Sequence, residues 1–351
     1  MNLSVKFTPL TYRRQCHYII PPMSERNKKI YHTLLLFLSA ALLLGLGFYI
    51  HKNSASFEKI KSVNAGLILL LVGIHALNYL LLGITHFYPL RKHNIFLKFK
   101  EWYGLCTVSE LFNMLLPAKG GTAIRMMYIN EKKKLPIREF LSMGFAVVLT
   151  GFSLLGIVGT IYCHFFLSKH NMVFVALESL FIALTISSFL LVFASEVFTR
   201  LFKMERKYSP KKYLADKKII LVAILCYLGM FLLYPLKIYL SFKAIGVEIQ
   251  LFDSFEISLI LLTSSFFQIL PGNIGVKEVA TAYIAQEYGI QFETALLASL
   301  VDRAILLLFL FPFGAYFYWN LLLEASLPKI NWQKWGELAR IPLIKRPLKV
   351  R

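Results

Sequence analysis

Six stretches of the chain stay apolar for about 20 residues or longer, at residues 30–50, 66–88, 140–167, 172–195, 219–242 and 294–323. That is the length an α-helix needs to cross the hydrocarbon layer of a bilayer. Two further apolar runs, 105–116 and 257–270, are too short, and each stops at a proline, Pro117 or Pro271. Glycines follow each break, then a second short, partly apolar stretch. A half-length helix, a Pro-Gly break and another half-length segment read as a re-entrant hairpin, whose non-helical backbone must be satisfied by protein or trapped water. The pattern therefore predicts an all-α polytopic membrane protein with about six full spans and two re-entrant helical hairpins; the alternative is eight full spans, two of them kinked at proline.

Loop charge orients this arrangement. With six spans and two hairpins, the segments on the N-terminal side (1–29, 89–103, 130–139, 196–218 and 324–351) carry 29 Lys or Arg. The segments on the other side (51–65, 168–171, 243–256 and 285–293) carry 5. Such a bias places both termini in the cytoplasm of a multi-pass cell-membrane protein. The organisation is then a basic tail over 1–29, a membrane domain over 30–323 and a basic tail over 324–351. No cleavable signal peptide is read in the polar first 29 residues, and either Met1 or Met23 fits as the start.

The two breaks align with each other. Leu116-Pro117-Ala118-Lys119-Gly120-Gly121 matches Leu270-Pro271-Gly272-Asn273-Ile274-Gly275. Pro136 and Gly289 mark the following turns, and a long span begins near Glu139 in one copy and Glu293 in the other. Three spans separate the copies, an odd number, so they enter from opposite faces as an inverted-topology repeat, which places a site near the bilayer midplane.

Composition supports the membrane class: 57% of residues are hydrophobic and mean hydropathy is +0.60. The net charge of +20 does not point to nucleic acid, because the basic residues lie between apolar runs and not on a polar domain. Cys16, Cys106, Cys163 and Cys226 form no CxxC pair and read as small buried hydrophobes. The histidines lack ligand spacing, so no metal is expected, and no cofactor is expected either.

Once loop residues are set aside, five cations (Lys119, Arg125, Lys237, Lys277, Arg303) and four acids (Glu110, Glu178, Glu278, Asp302) remain inside the membrane portion. A charge at a helix centre costs roughly 2.5–3.5 kcal/mol on insertion scales, so such residues pair, snorkel or face a wet cavity. Seven of the nine sit in or beside the hairpin motifs. The expected site is a polar cavity for a lipid headgroup: Lys119, Arg125, Lys277 and Arg303 on phosphate, Glu110 or Glu278 on a cationic group, with Asn113 and Asp302 alongside. Helix N-termini at Gly121 and Gly275 would aim free N–H groups at the breaks. Pro117, Gly120, Gly121, Pro271, Gly272 and Gly275 shape the hairpins. In a purely structural role, Asp302 would pair with Arg303, and Lys277 with Glu278. Lys237 and Glu178 are weaker candidates. Ser109, Asn113 and Gln268 are placed to satisfy backbone groups freed by the prolines, and His75 and Asn78 read as helix-packing groups. No catalytic motif is read.

These motifs resemble the transmembrane flippase domain of the lysylphosphatidylglycerol synthase family over roughly residues 30–323. Its first block has the form Pro-x-x-x-Gly-acid-x-x-Arg, here Pro117 to Gly121 and Arg125, with Thr122 in the acidic place. Its second, Pro-Gly-Gly-Ile-Gly-x-Arg-Glu, is here Pro271-Gly-Asn-Ile-Gly275-Val-Lys277-Glu278, with Arg303 in the next span. A Glu-Arg pair common after the first block is missing around Gly144. Only 28 residues follow Leu323, so the resemblance implies a stand-alone flippase-like domain without the aminoacyltransferase. It implies movement of phospholipids or lipid-linked headgroups between leaflets, with membrane lipids as partners and a homo-oligomer or a separate lipid-modifying enzyme as further ones. Without a GxxxxGK[ST] motif, the driving force would be an ion, voltage or lipid gradient. A membrane-embedded lipid transferase and a non-transporting partner of an envelope enzyme are the competing readings.

Overall fold

The computed structural model describes residues 64–116, 119–166, 172–193, 208–266 and 270–323, with Tyr18–Ile19 and Arg340–Ile341. Those last two segments form a two-residue antiparallel pair; all other regular structure among the described residues is helical. Five helices are long and apolar enough to cross a membrane: Ala65–His93, Ile137–Phe165, Val175–Val192, Lys217–Ala244 and Phe292–Leu321. They coincide with five of the six expected spans. The expected span at 30–50, Pro117, Gln268, Cys16 and most of both tails lie outside the described residues.

We label the helices α1 (Ala65–Phe87), α2 (Phe99–Leu115), α3 (Gly120–Lys133), α4 (Ile137–Phe166), α5 (Met172–Phe193), α6 (Lys217–Ala244), α7 (Leu251–Phe266), α8 (Val276–Ala285) and α9 (Phe292–Tyr318). Two of them open on an N-cap side chain that takes one of the unpaired first N–H groups. Asn64 accepts from the Gly66 N–H at 2.7 Å to open α1, and Asp216 accepts from the Ile219 N–H to open α6 while holding Lys92 at 3.0 Å. Outward-facing Leu69, Phe165, Leu190, Leu232 and Leu308 are exposed, as lipid-contacting side chains must be and as soluble surfaces rarely are.

The short helices form two antiparallel hairpins. In the first, α3 lies against α2 so closely that a Cβ on Gly121 would fall 1.8 Å from the Ser109 carbonyl oxygen; only glycine allows that approach. At the open end Glu101 accepts from Tyr128 at 3.2 Å and pairs with Lys133 at 2.9 Å. In the second, the Asn273 side chain donates to the Ser264 carbonyl at 2.7 Å near the tip, and the Tyr288 hydroxyl donates to Glu256 at the open end. Each hairpin is thus clasped by a Glu on its first helix and a Tyr on its second (Tyr128) or in the turn just after it (Tyr288). The first helices begin earlier than the apolar runs, at Phe99 and Leu251 and not at 105 and 257; the polar end of α2 is capped, Glu101 accepting from the Lys98 N–H at 3.0 Å. Segments read as loops therefore hold buried acids. Glu256 is engaged by Tyr288, and Glu139 by Tyr213, Lys212 and His93.

α1, α2 and α9 pack together, α6 joins α1 to α7 and α9, and α4 pairs with α5. Apolar clusters fill these seams; one gathers Tyr79, Leu105, Val108 and Phe309, another Leu71, Ile257, Ala282 and Leu297. Cys106, Cys163 and Cys226 are buried and free, as expected.

Candidate functional site

The hairpin tips meet. A Cβ on Gly272 would come 3.4 Å from the Met114 Cα and 3.2 Å from Arg303 Nη1, so the second break rests against the end of α2. Around this junction lies a cavity of ≈ 460 Å³, within the range of small-ligand sites. Glu110, Asn113, Lys119, Arg125, Lys277, Glu278, Asp302 and Arg303, the eight residues singled out from sequence, all line it. Glu178 does not; it sits beside His164 at 3.3 Å on the α4–α5 pair.

The charged groups are organised by α9. Arg303 donates through Nε to Glu278 at 2.6 Å and through Nη1 to the Gly272 carbonyl at 2.9 Å, tying α9 to the second hairpin. The other Glu278 oxygen accepts from the Gly275 N–H at 2.7 Å. This buried carboxylate (1% exposed) therefore caps its own helix, and the N–H expected to be free at that break is taken. Asp302 turns to α1 and α6, meeting His75 at 3.2 Å and Lys237 at 3.0 Å. The expected pairings of Asp302 with Arg303 and of Lys277 with Glu278 do not form, because adjacent residues on a helix point about 100° apart. Lys277 instead donates to Ser265 at 2.8 Å. His75 and Lys237 are the members that sequence reading undervalued; their signal is polar side chains at mid-span.

The first hairpin is different. Its second helix opens at Gly120 behind Lys119, which holds a left-handed backbone (φ 54). Asn113 donates to Glu110 at 3.1 Å. Arg125 is only 2% exposed, yet among the described residues its Nε and Nη1 have no hydrogen-bond partner. Its contacts are a long 3.4 Å bond from Nη2 to Thr122 and the Phe87 ring 5.9 Å away. Buried guanidinium groups are ordinarily paired.

Part of the cavity lining is apolar. It is built from α4 residues including Leu141, Met143, Gly144, Phe145 and Val148. Leu141 is exposed on the outer surface, and a Cβ on Gly144 would meet nothing within 4 Å. The cavity thus has both charged and apolar lining, and one of its apolar α4 residues is exposed.

A family model described as the lysylphosphatidylglycerol synthase TM region matches residues 34–314. No curated protein and no solved structure shows a significant match.

Proposed function

The chain belongs to the lysylphosphatidylglycerol synthase transmembrane-region family, and on that premise we propose that it is a flippase, moving a lipid headgroup between leaflets through the cavity at the hairpin tips. One observation carries the reading: the cavity is amphipathic, lined both by Arg125 and its charged neighbours and by apolar α4 residues that include the exposed Leu141. A headgroup would sit among the charges while its chains stay in lipid along α4.

In this reading the two hairpins re-enter the membrane from opposite faces as an inverted repeat. The matching Glu-Tyr clasps, Glu101 with Tyr128 and Glu256 with Tyr288, support it, as does the passage of α4, α5 and α6 between the copies. Both termini would face the cytoplasm of the cell membrane. A cysteine placed at exposed Lys100 should then react with an impermeant maleimide only from that side. The transferase reading is weaker, since Glu278 is held by Arg303, and Asp302 by Lys237 and His75. A carboxylate committed to cations is a poor general base.

The test is leaflet exchange of headgroup-labelled phospholipids in liposomes carrying the purified protein. Wild type should exchange lipid and Arg125→Gln should be slowed at least severalfold. Exchange no faster than in protein-free vesicles, for every lipid tried, would reject the proposal.

A further inference from the structure

The charges lining the cavity do not balance. Lys119, Arg125, Lys237, Lys277 and Arg303 face three carboxylates, Glu110, Glu278 and Asp302, leaving two positive charges in excess. The segment 30–50, expected as another span, contains no Asp, Glu, Lys or Arg and so cannot correct this.

The excess can be located. Asp302 is matched by Lys237 at 3.0 Å and Glu278 by Arg303 at 2.6 Å. Glu110 stands in the electrostatic reach of both Lys119 and Lys277 without lying at ion-pair distance from either, and it can offset only one of them. That leaves Arg125 on the first hairpin and Lys277 on the second. Among the described residues neither has a carboxylate within ion-pair distance: Lys277 has the Ser265 hydroxyl, and Arg125 has Thr122 and the Phe87 ring. Two of the Arg125 donors are sequestered and unmatched. A protein that keeps such groups desolvated does so at a cost in stability, which a bound anion would offset. An aminoacylated phospholipid would bring further positive charge into a cavity that already has too much.

We propose that the headgroup taken by this cavity carries two negative charges, a phosphomonoester or a diphosphate on a lipid chain, with Arg125 and Lys277 as its charge partners. The inference rests on the lipid-binding reading above and narrows it to a substrate class. A phosphate monoester bears about −1.5 to −2 at neutral pH and offers three acceptor oxygens, enough for the planar fork of an arginine and a lysine at once. A phosphodiester such as phosphatidylglycerol bears one charge. Arg303 and Glu278 are positioning residues here, holding the tip of the second hairpin through the Gly272 carbonyl and the Gly275 N–H.

The experiment is equilibrium binding to the purified full chain in detergent. The probes are dioctanoyl phosphatidic acid, dioctanoyl phosphatidylglycerol, its lysyl ester, and inorganic phosphate alone. Phosphatidic acid should bind at least about tenfold tighter than phosphatidylglycerol, about 1.4 kcal/mol, with the lysyl ester weaker again and free phosphate weakest. Arg125→Gln and Lys277→Gln should each shrink the tenfold preference to about twofold, while Lys277→Arg keeps it. Melting curves of the variants confirm that folded protein is compared. Equal or tighter binding of phosphatidylglycerol or of its lysyl ester overturns the proposal, as does a preference untouched by both glutamine variants. Free phosphate binding as tightly as phosphatidic acid would also overturn it, by showing a site for a soluble anion. Binding is read without transport. Thus the stated order together with no leaflet exchange would reject the flippase reading and retain the headgroup class, whereas exchange without the order would do the reverse.

Discussion

Two arginines line the same cavity, and replacing each by methionine should move stability in opposite directions. Arg303→Met strands Glu278, a carboxylate 1% exposed, without its 2.6 Å partner and leaves the Gly272 carbonyl without its donor. Breaking a buried pair from one side costs about 3–5 kcal/mol. Arg125→Met removes a different kind of group. Its Nε and Nη1 are buried and, among the described residues, unmatched, and each such donor costs about 1–3 kcal/mol. The Phe87 ring at 5.9 Å returns about 0.5–2 kcal/mol, and methionine keeps much of the apolar packing. The net expectation is a gain of about 1–3 kcal/mol. At about 2 °C per kcal/mol for a large chain, Arg303→Met should melt roughly 6–10 °C lower and Arg125→Met about 2–6 °C higher. The assay is thermal unfolding of delipidated protein in detergent, followed by size-exclusion recovery. If Arg125→Met melts as far below wild type as Arg303→Met, Arg125 is a structural tether and the reasoning that makes it a ligand partner fails.

Three other substitutions test the scaffold. Gly121→Ala puts a methyl group 1.8 Å from the Ser109 carbonyl oxygen; backbone must move, so a loss of about 3 kcal/mol or more is expected, read as lost expression or a lower Tm. Gly144→Phe projects into open space, with nothing within 4 Å of its Cβ; its Tm should stay within about 2 °C of wild type, while leaflet exchange in liposomes falls severalfold. Tyr288→Phe should cost more than Tyr128→Phe, within the range of about 1–3 kcal/mol for a lost buried hydrogen bond. The reason is that Glu256 is deeply buried whereas Glu101 keeps Lys133 at 2.9 Å; equal melting shifts would show that the two clasps are equivalent.

The parts of the fold that depend on one-dimensional information were legible in the chain. A run of about 20 apolar residues has few alternatives in a bilayer, so α1, α4, α5, α6 and α9 fall where hydropathy places them. The breaks announced themselves by proline and glycine. Much of the cavity's membership followed from subtraction: of the nine charges that no loop claims, eight reach one cavity, and Glu178 does not. Pairing was not legible. Whether Asp302 meets Arg303 or Lys237 depends on the rotation of α9 against α6, which hydropathy does not encode. Glu139 and Glu256 were assigned to water because they flank apolar runs; what holds them inside are the hydroxyls of Tyr213 and Tyr288, 74 and 32 residues away.

The α4 side of the cavity has a further implication. With open space around the Gly144 Cβ position and Leu141 exposed, neither residue would measure how long a hydrocarbon tail is or where its double bonds lie. If the protein is the proposed flippase, discrimination would fall on the head, so substrates sharing one phosphate group should be handled alike across very different tails, and a cell that remodels its fatty acids with temperature would not need to retune this protein.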